Sequence, residues 1–346
     1  MLEAEPVGRW LTELGPDDDV AVSTRVRLAR NIAGEKFGTR AGPEDQARVV
    51  AAVSAGLEEA GRLEQGRFIE EEVLDEPLLG FLLERHLVSP DFARTKLRRG
   101  LFVAEGETLS LMVNEEDHVR FQALVPGLDF PGAYRVVAEL DEKLGEAPGW
   151  AFSPEYGFLT ACPTNVGTGL RASVLVHLPA LVLTREIEKV LRGAVHVGLA
   201  VRGIYGEGTE TKGNFFQVSN QRTLGLSETE ILETVEETCR QLVEYERKAR
   251  EYLVENLRCD IEDKVFRSLG LLRGARILSS DEAINLLATV RLGVVLGMIN
   301  ELKPAEVSRL LVLVRPENLQ RVLGERLKPE ERDERRATFV REALVR

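Results

Sequence analysis

Arg25 and Arg27 stand two residues apart in Ser23-Thr24-Arg25-Val26-Arg27. In an extended segment that spacing points both guanidinium groups to one face. Two planar forks, each able to bond two oxygens at once, suit a polyphosphate. The same pattern also suits the charged outer face of an edge strand. A second cluster, Asn114-Glu115-Glu116-Asp117-His118-Val119-Arg120, follows an apolar run at 111–113. Three consecutive carboxylates repel one another unless they are solvated or serve a cation. A guanidinium is one such cation, and a carboxylate pair can grip its nitrogens. An acidic turn at a strand end is the plainer alternative.

Two loops complete the set. Residues 157–173 place Cys162 before Pro163, then a polar, glycine-bearing loop, then Arg171, which reads as opening a helix. That order suits an anion site, with Cys162 as a thiolate if nearby arginines lower its pKa. An isolated cysteine is otherwise a small buried hydrophobe; the surrounding loop favours the first reading. In Arg202-Gly203-Ile204-Tyr205-Gly206-Glu207-Gly208, closely spaced glycines make a loop able to close over a substrate. Glu207, between two glycines and with little apolar support, suits a guanidinium better than a structural role. The chain has no GxxxxGK[ST] loop, no GxGxxG after a strand, and neither HRD nor DFG.

The elements that must carry these residues are mixed in the first part of the chain. Strand-length apolar runs occur at 20–22 and 109–113, and helical spacing at 131–145 and 180–197, followed by a strand at 198–202. Ser227-Glu228-Thr229-Glu230 is a capping box that opens a helix running to about 257. Beyond Cys259 strand signals vanish. Helices are expected from Ser280, Pro304, Pro316 and Pro329, because serine caps and first-turn prolines mark helix starts. The expected class is α+β over residues 1–258, followed by an all-α segment over 259–346. Leu286, Val290, Leu292, Val295 and Leu296 form an apolar stripe that suits either the core or an oligomer interface.

With 346 residues, 44% hydrophobic and 29% charged, the composition is that of a globular chain. A net charge of −12 disfavours direct binding to nucleic acid. No apolar run approaches bilayer length, and the first residues do not read as a secretory signal. Three cysteines without metal-ligand spacing fit a reducing, cytoplasmic setting.

The four blocks, in this order, resemble the phosphagen (guanidino) kinase family, which includes arginine and creatine kinases. The match covers roughly residues 20–255. The resemblance implies an antiparallel sheet flanked by helices, and ATP with Mg²⁺ as phosphoryl donor. It implies that Arg25, Arg27, Arg120, Arg171 and Arg202 clamp the ATP phosphates, assisted by Ser23. Glu116 and Glu207 would hold the guanidinium, one of them accepting its proton, with Cys162 beside the reactive nitrogen. His86 would pack against the adenine; without the family it reads as a helix-surface histidine. His177 and His196 read as structural.

Two departures narrow the expectation. Family members acting on free arginine or creatine carry a helical lobe before the first motif, whereas 22 residues precede Ser23 here; this implies an open site that admits an arginine within a protein. The additional helical segment, with Arg332-Asp333-Glu334-Arg335-Arg336-Ala337, resembles the family's bacterial branch that phosphorylates arginine in proteins. That resemblance implies an allosteric phosphoarginine pocket in which Arg332 meets the phosphate and Asp333 the guanidinium. From the residues alone, a solvated charged helix fits equally. Also implied are a stress-gene repressor (CtsR) among the protein substrates, an activator (McsA), degradation of marked proteins by the Clp protease system, and a homodimer or larger assembly. A kinase for free guanidino compounds and a non-catalytic phosphoarginine-binding adaptor are the competing readings.

Overall fold

In the computed structural model, residues 7–147, 149–203 and 211–344 are described. Ten strands occur among them: β1 Ala21–Arg30, β2 Gly66–Glu70, β3 Gly100–Ala104, β4 Leu109–Val113, β5 Val119–Pro126, β6 Phe152–Ser153, β7 Gly157–Phe158, β8 Leu170–His177, β9 Leu199–Gly203 and β10 Phe215–Asn220. Eight form one antiparallel sheet in the order β2-β3-β4-β5-β1-β8-β10-β9, and β6 pairs with β7 separately. The run at 20–22 thus starts a ten-residue strand at the sheet centre, which carries the whole Ser23–Arg27 motif.

Alternation along these strands sorts the side chains by face. Val26, Leu28, Phe121, Ala123, Ala172, Val174 and Val218 are buried on one face. The helices Pro43–Glu59, Phe130–Gly145 and Glu228–Asn256 close that face through Val49, Val53, Val137, Leu140, Val235 and Leu242. The other face is divided. Its residues Leu101, Val103, Met112, Leu124, Leu175 and Phe215 join a second core with Trp10, the helix Glu76–Glu84 and the C-terminal helices. Where that apolar packing stops, the arginines begin.

The C-terminal helices are Arg258–Gly274, Ser280–Val295, Pro304–Leu313, Pro316–Leu323 and Pro329–Ala343. The last four starts follow the serine and proline signals. They share the second core with the sheet. Val290 and Leu292 of the apolar stripe are buried, and Leu286 and Leu296 pack against the core. Arg291 reaches across to donate to the carbonyls of Asp18 at 2.6 Å and Asp19 at 3.1 Å.

Two local expectations are corrected. The segment 180–197 is two helices, Pro179–Leu183 and Ile187–His196, because Arg185 between them takes a left-handed conformation (φ 63°) that no α-helix continues through. Arg171 lies in β8 and opens no helix: β-branched and apolar residues from 170 to 177 pair with both β1 and β10.

Candidate functional site

Register fixes the site. Arg27 lies opposite Gln122 of β5 on one side and Arg171 of β8 on the other. Arg25 faces Leu124 and Ser173, Ala29 faces Arg120, and Arg202 faces Gln217, which in turn faces Leu175. Residues directly opposite share a face, so Arg25, Arg27, Arg120, Arg171 and Arg202 all project from one side of the sheet. Like charges directly opposite, as Arg27 and Arg171 are, destabilise a sheet unless something neutralises them.

Little in the chain does so. Among the described residues, Arg120 alone of the five has a carboxylate partner, Glu115, with Nη1 2.6 and 2.7 Å from its two oxygens. Arg25 donates weakly to Ser173 Oγ at 3.5 Å, and Arg27 Nε is buried with no hydrogen-bond partner among the described residues. Burial first, then Arg120 and Arg171, depress the Arg25 pKa to about 10. Burial lowers Arg27 as well, with Arg25, Arg120 and Arg171 adding to it. Arg171 is lowered by burial, Arg120 and Arg202. Guanidinium groups keep their proton in proteins, so the face is a concentration of positive charge in partly desolvated surroundings, suited to a polyanion.

The acidic triplet divides into three tasks. It sits in the tight turn between β4 and β5, where Asn114 takes φ 58° and its amide donates to His118 O at 3.0 Å. Glu115 is buried and held by Arg120 and Ser89; burial raises its pKa, but those partners outweigh it and the net shift is downward. Asp117 is buried and accepts from Asn31 Nδ2 at 2.7 Å and from the Ala161 amide at 2.6 Å, anchoring the loop that carries Cys162. Glu116 alone is exposed. Partial burial of its carboxyl raises its pKa, opposed by a hydrogen bond with Cys162.

Cys162 is half-buried, with Sγ 3.0 Å from Thr164 Oγ1. Thr223 Oγ1 donates to the carbonyls of Thr164 at 3.0 Å and Val166 at 2.7 Å, clamping this loop to the end of β10. Gly167 (φ 110°) permits the approach, since a Cβ there would lie 2.2 Å from Thr223 O. Glu116, Cys162 and Arg171 therefore meet at one corner of the cationic face. Glu207 falls outside the described residues; Arg202, on β9, is exposed.

Ser23 and His86 line a cavity of about 20 Å³ together with Trp10 and Arg25. That volume holds a body no larger than a water. His86 is not on a helix surface. It follows the helix Glu76–Glu84 in a left-handed conformation (φ 59°), its ring 6.0 Å from that of Trp10. Burial depresses its pKa to about 3, with Arg315 and Arg25 contributing. Its position is set by residues the sequence reading passed over. The buried Glu84 carboxylate accepts from the Glu317 amide at 3.1 Å and from the Asn318 amide and Nδ2, both at 2.9 Å. A charged Glu84-Arg85 pair ending an otherwise apolar helix was the available signal.

Arg332 and Asp333 lie in the helix Pro329–Ala343. Asp333 pairs with Arg336, which is 1% exposed and donates to Val314 O and Leu278 O, both at 2.7 Å. Arg332 Nε is buried without a hydrogen-bond partner among the described residues. The motif is thus partly internal, not a fully solvated helix face. His177 is buried, stacked on Phe215 and 3.0 Å from Arg291 Nη1, a structural position. A cavity of about 1030 Å³ lies between helices Ile187–His196 and Glu228–Asn256 and is lined by none of the five arginines.

Comparison with known proteins sets this geometry in a family. Residues 48–249 match the family model of the ATP:guanido phosphotransferase C-terminal catalytic domain, and residues 258–346 that of the protein-arginine kinase McsB C-terminal domain. A protein-arginine kinase of Desulforamulus reducens is 45% identical over 347 residues, covering 99% of this chain and 96% of that protein. The chain belongs to the protein-arginine kinase family. It is an ATP-dependent phosphotransferase with the phosphagen-kinase fold. A protein-arginine kinase of Brevibacillus brevis is 44% identical, covering 98% of this chain and 96% of that protein. Among solved structures, the duplicated taurocyamine kinase of Schistosoma mansoni, with bound transition-state-analogue components, aligns with a TM-score of 0.61 at 27% identity. The alignment covers 72% of this chain and 37% of that one. Among the described residues, no helix is long and apolar enough to cross a membrane.

Proposed function

We propose that this protein-arginine kinase transfers the γ-phosphoryl group of ATP to arginine side chains of proteins. The observation that carries the reading is the concentration of five arginines on one sheet face, four without a carboxylate partner among the described residues, meeting Glu116 and Cys162 at its corner. Phosphoryl transfer requires in-line positioning and positive charge around the moving group. Arg25, Arg27, Arg120, Arg171 and Arg202 supply that charge, with Ser23 beside them. The sheet face offers few carboxylates, so Mg²⁺ would take its oxygen ligands from the ATP phosphates and water; bound there, it neutralises developing phosphate charge.

Glu116, with Glu207, holds the acceptor guanidinium, and Cys162 steadies its reactive nitrogen. A guanidinium is protonated at neutral pH and is not nucleophilic. One carboxylate therefore takes a proton as the N–P bond forms and the bond from Pγ to the ADP oxygen breaks. His86 borders the nucleotide side; the cavity beside it is small, so adenine packing there requires side chains to shift.

The C-terminal helices hold the candidate phosphoarginine pocket. Arg332, with its unpartnered Nε, would meet the phosphate, and Asp333 the guanidinium after release from Arg336. Assembly into a homodimer or larger oligomer is supported by the exposed Phe266, Leu271 and Ile277, at 50%, 54% and 65% exposure. Repressor CtsR as substrate, McsA as activator, delivery to the Clp protease and a cytoplasmic location follow from the family resemblance, the last supported by three unpaired cysteines.

The test is incubation with Mg-ATP and an arginine-rich protein, with free arginine in a parallel tube. Mass spectrometry under conditions that preserve the acid-labile P–N bond should find phosphoarginine on the protein, and none with Glu207→Ala. Phosphate on free arginine alone would overturn the protein-substrate reading.

A further inference from the structure

The residues around Glu116 form one ledge. His118 Nε2 bonds Lys36 O at 2.9 Å, and the Phe37 ring stands edge-on to that of His118. Asn114 Nδ2 donates to Arg98 O at 2.7 Å and to Gln46 O at 3.0 Å. The Arg98 amide donates to Gln46 Oε1 at 2.9 Å. Gly38 is wedged between them: a Cβ there would lie 3.4 Å from Glu116 O and 3.5 Å from Leu97 Cδ1. Segments 36–40 and 94–98 are thereby fixed to the turn that presents Glu116.

This ledge runs against the charge of the chain. The net charge is −12, yet residues 92–104 contain no carboxylate and carry Arg94, Lys96, Arg98 and Arg99. Arg99 is turned inward, donating to Phe92 O and Thr95 O. Arg94, Lys96 and Arg98 are exposed, as is Arg40 on the adjoining segment. None of these four has an ion pair among the described residues, although ion pairs are frequent elsewhere on the surface. Arg94 ends the short helix Pro90–Arg94, Arg40 ends the 3-10 turn Gly38–Arg40, and Lys96 and Arg98 lie in the segment before β3, so none of the four is on the arginine-bearing strands, where the phosphate charge would be met.

An arginine that reaches Glu116 while still part of a polypeptide brings its neighbours to the segments that adjoin this turn, and the ledge is one of them. Two to four flanking residues extend about 7–13 Å from the acceptor arginine. Basic neighbours there meet like charge, and acidic neighbours meet opposite charge. Charge complementarity of this kind selects partners and speeds encounter more than it adds raw affinity. We infer that the Arg40, Arg94, Lys96 and Arg98 ledge is a specificity surface that favours target arginines flanked by acidic residues. The inference rests on the reading that the acceptor is an arginine within a protein.

The experiment uses the full-length kinase and two peptides of one arginine each, identical except that glutamates or lysines flank it. Phosphoarginine is quantified for wild type and for the double variant Lys96→Glu, Arg98→Glu, with a melting curve to show that the variant folds. The expected result is a kcat/KM about tenfold higher for the acidic peptide at low salt, shrinking in about 0.5 M salt as screening sets in. The double variant should lose or invert that preference with KM for ATP unchanged. Equal rates on both peptides with wild type, or an undiminished preference in the variant, would overturn the inference. A KM for ATP that rises in the variant while the peptide preference stays would also overturn it, by assigning the ledge to the nucleotide. Phosphate on neither peptide would instead strike the protein-arginine reading itself.

Discussion

Two sets of arginines in this molecule do opposite things. Arg30, Arg85, Arg250 and Arg336 are nearly or wholly buried, and each has a carboxylate: Asp141, Glu107, Glu246 with Asp19, and Asp333. Arg30 ties β1 to the helix Phe130–Gly145, and Arg336 ties its helix to the carbonyls of Val314 and Leu278. Arg25, Arg27, Arg171 and Arg202 stand together on one sheet face without such a partner among the described residues, and repel one another. Folding alone does not reward the second arrangement, since charges drawn from water and left unpaired weaken a fold. Its reward must come from a ligand that supplies the missing negative charge. The carboxylates of 115–117 divide in the same way: Glu115 and Asp117 are committed to partners, and Glu116 is left at the surface.

The comparison can be broken most strongly in the paired set. Arg250→Ala leaves Glu246 buried without its cation, and should remove about 3–5 kcal/mol of stability in urea denaturation. The pH dependence carries the sign. Burial already raises the Glu246 pKa against the pull of Arg250. Without Arg250 it should rise further, so protonation on acidification relieves the variant, and its deficit against wild type should shrink as pH falls from 7 towards 5. A deficit constant with pH would remove the charge explanation.

Within the acidic triplet, Glu116→Gln should lower kcat by about 10² or more, with ATP affinity and melting temperature unchanged. Asp117→Asn should instead loosen the Cys162 loop and lower both stability and activity. Equal melting curves for the two variants would merge what the geometry separates. The smallest effect is expected at His86, whose folded pKa of about 3 lies below the ordinary value of 6.5. Below pH 6.5 the unfolded chain takes up the proton that the folded chain refuses, so stability falls as pH drops through that window. His86→Gln should flatten part of this slope in melts between pH 7 and 4.5. The buried His177 and His118, depressed in the same direction, should retain the rest.

Local signals carried much of this into the sequence. The common face of Arg25 and Arg27 is a property of strand alternation, and the helix starts at Ser280, Pro304, Pro316 and Pro329 are set by caps within a single turn. What required the fold was long-range. Arg171 faces Arg27 only because β8 pairs beside β1, and read locally it resembled a helix start. The separate tasks of Glu115, Glu116 and Asp117 depend on Ser89, Asn31 and Ala161, distant along the chain. The docking of the C-terminal helices on the rest of the fold, through Arg291 on the segment before β1 and through Asn318 against Glu84, leaves no periodic trace in the sequence.

The claim that the unpaired arginines await a polyphosphate is tested most directly by titrating Mg-ATP into wild type and Arg27→Ala, with a melting curve of each protein alone. The account predicts that affinity falls by about 10² or more, as for loss of a charged donor in a water-poor site. The melting temperature without ligand should stay the same or rise as repulsion is relieved. Unchanged affinity together with a lower melting temperature would contradict it, and would place Arg27 among the arginines that hold the fold together.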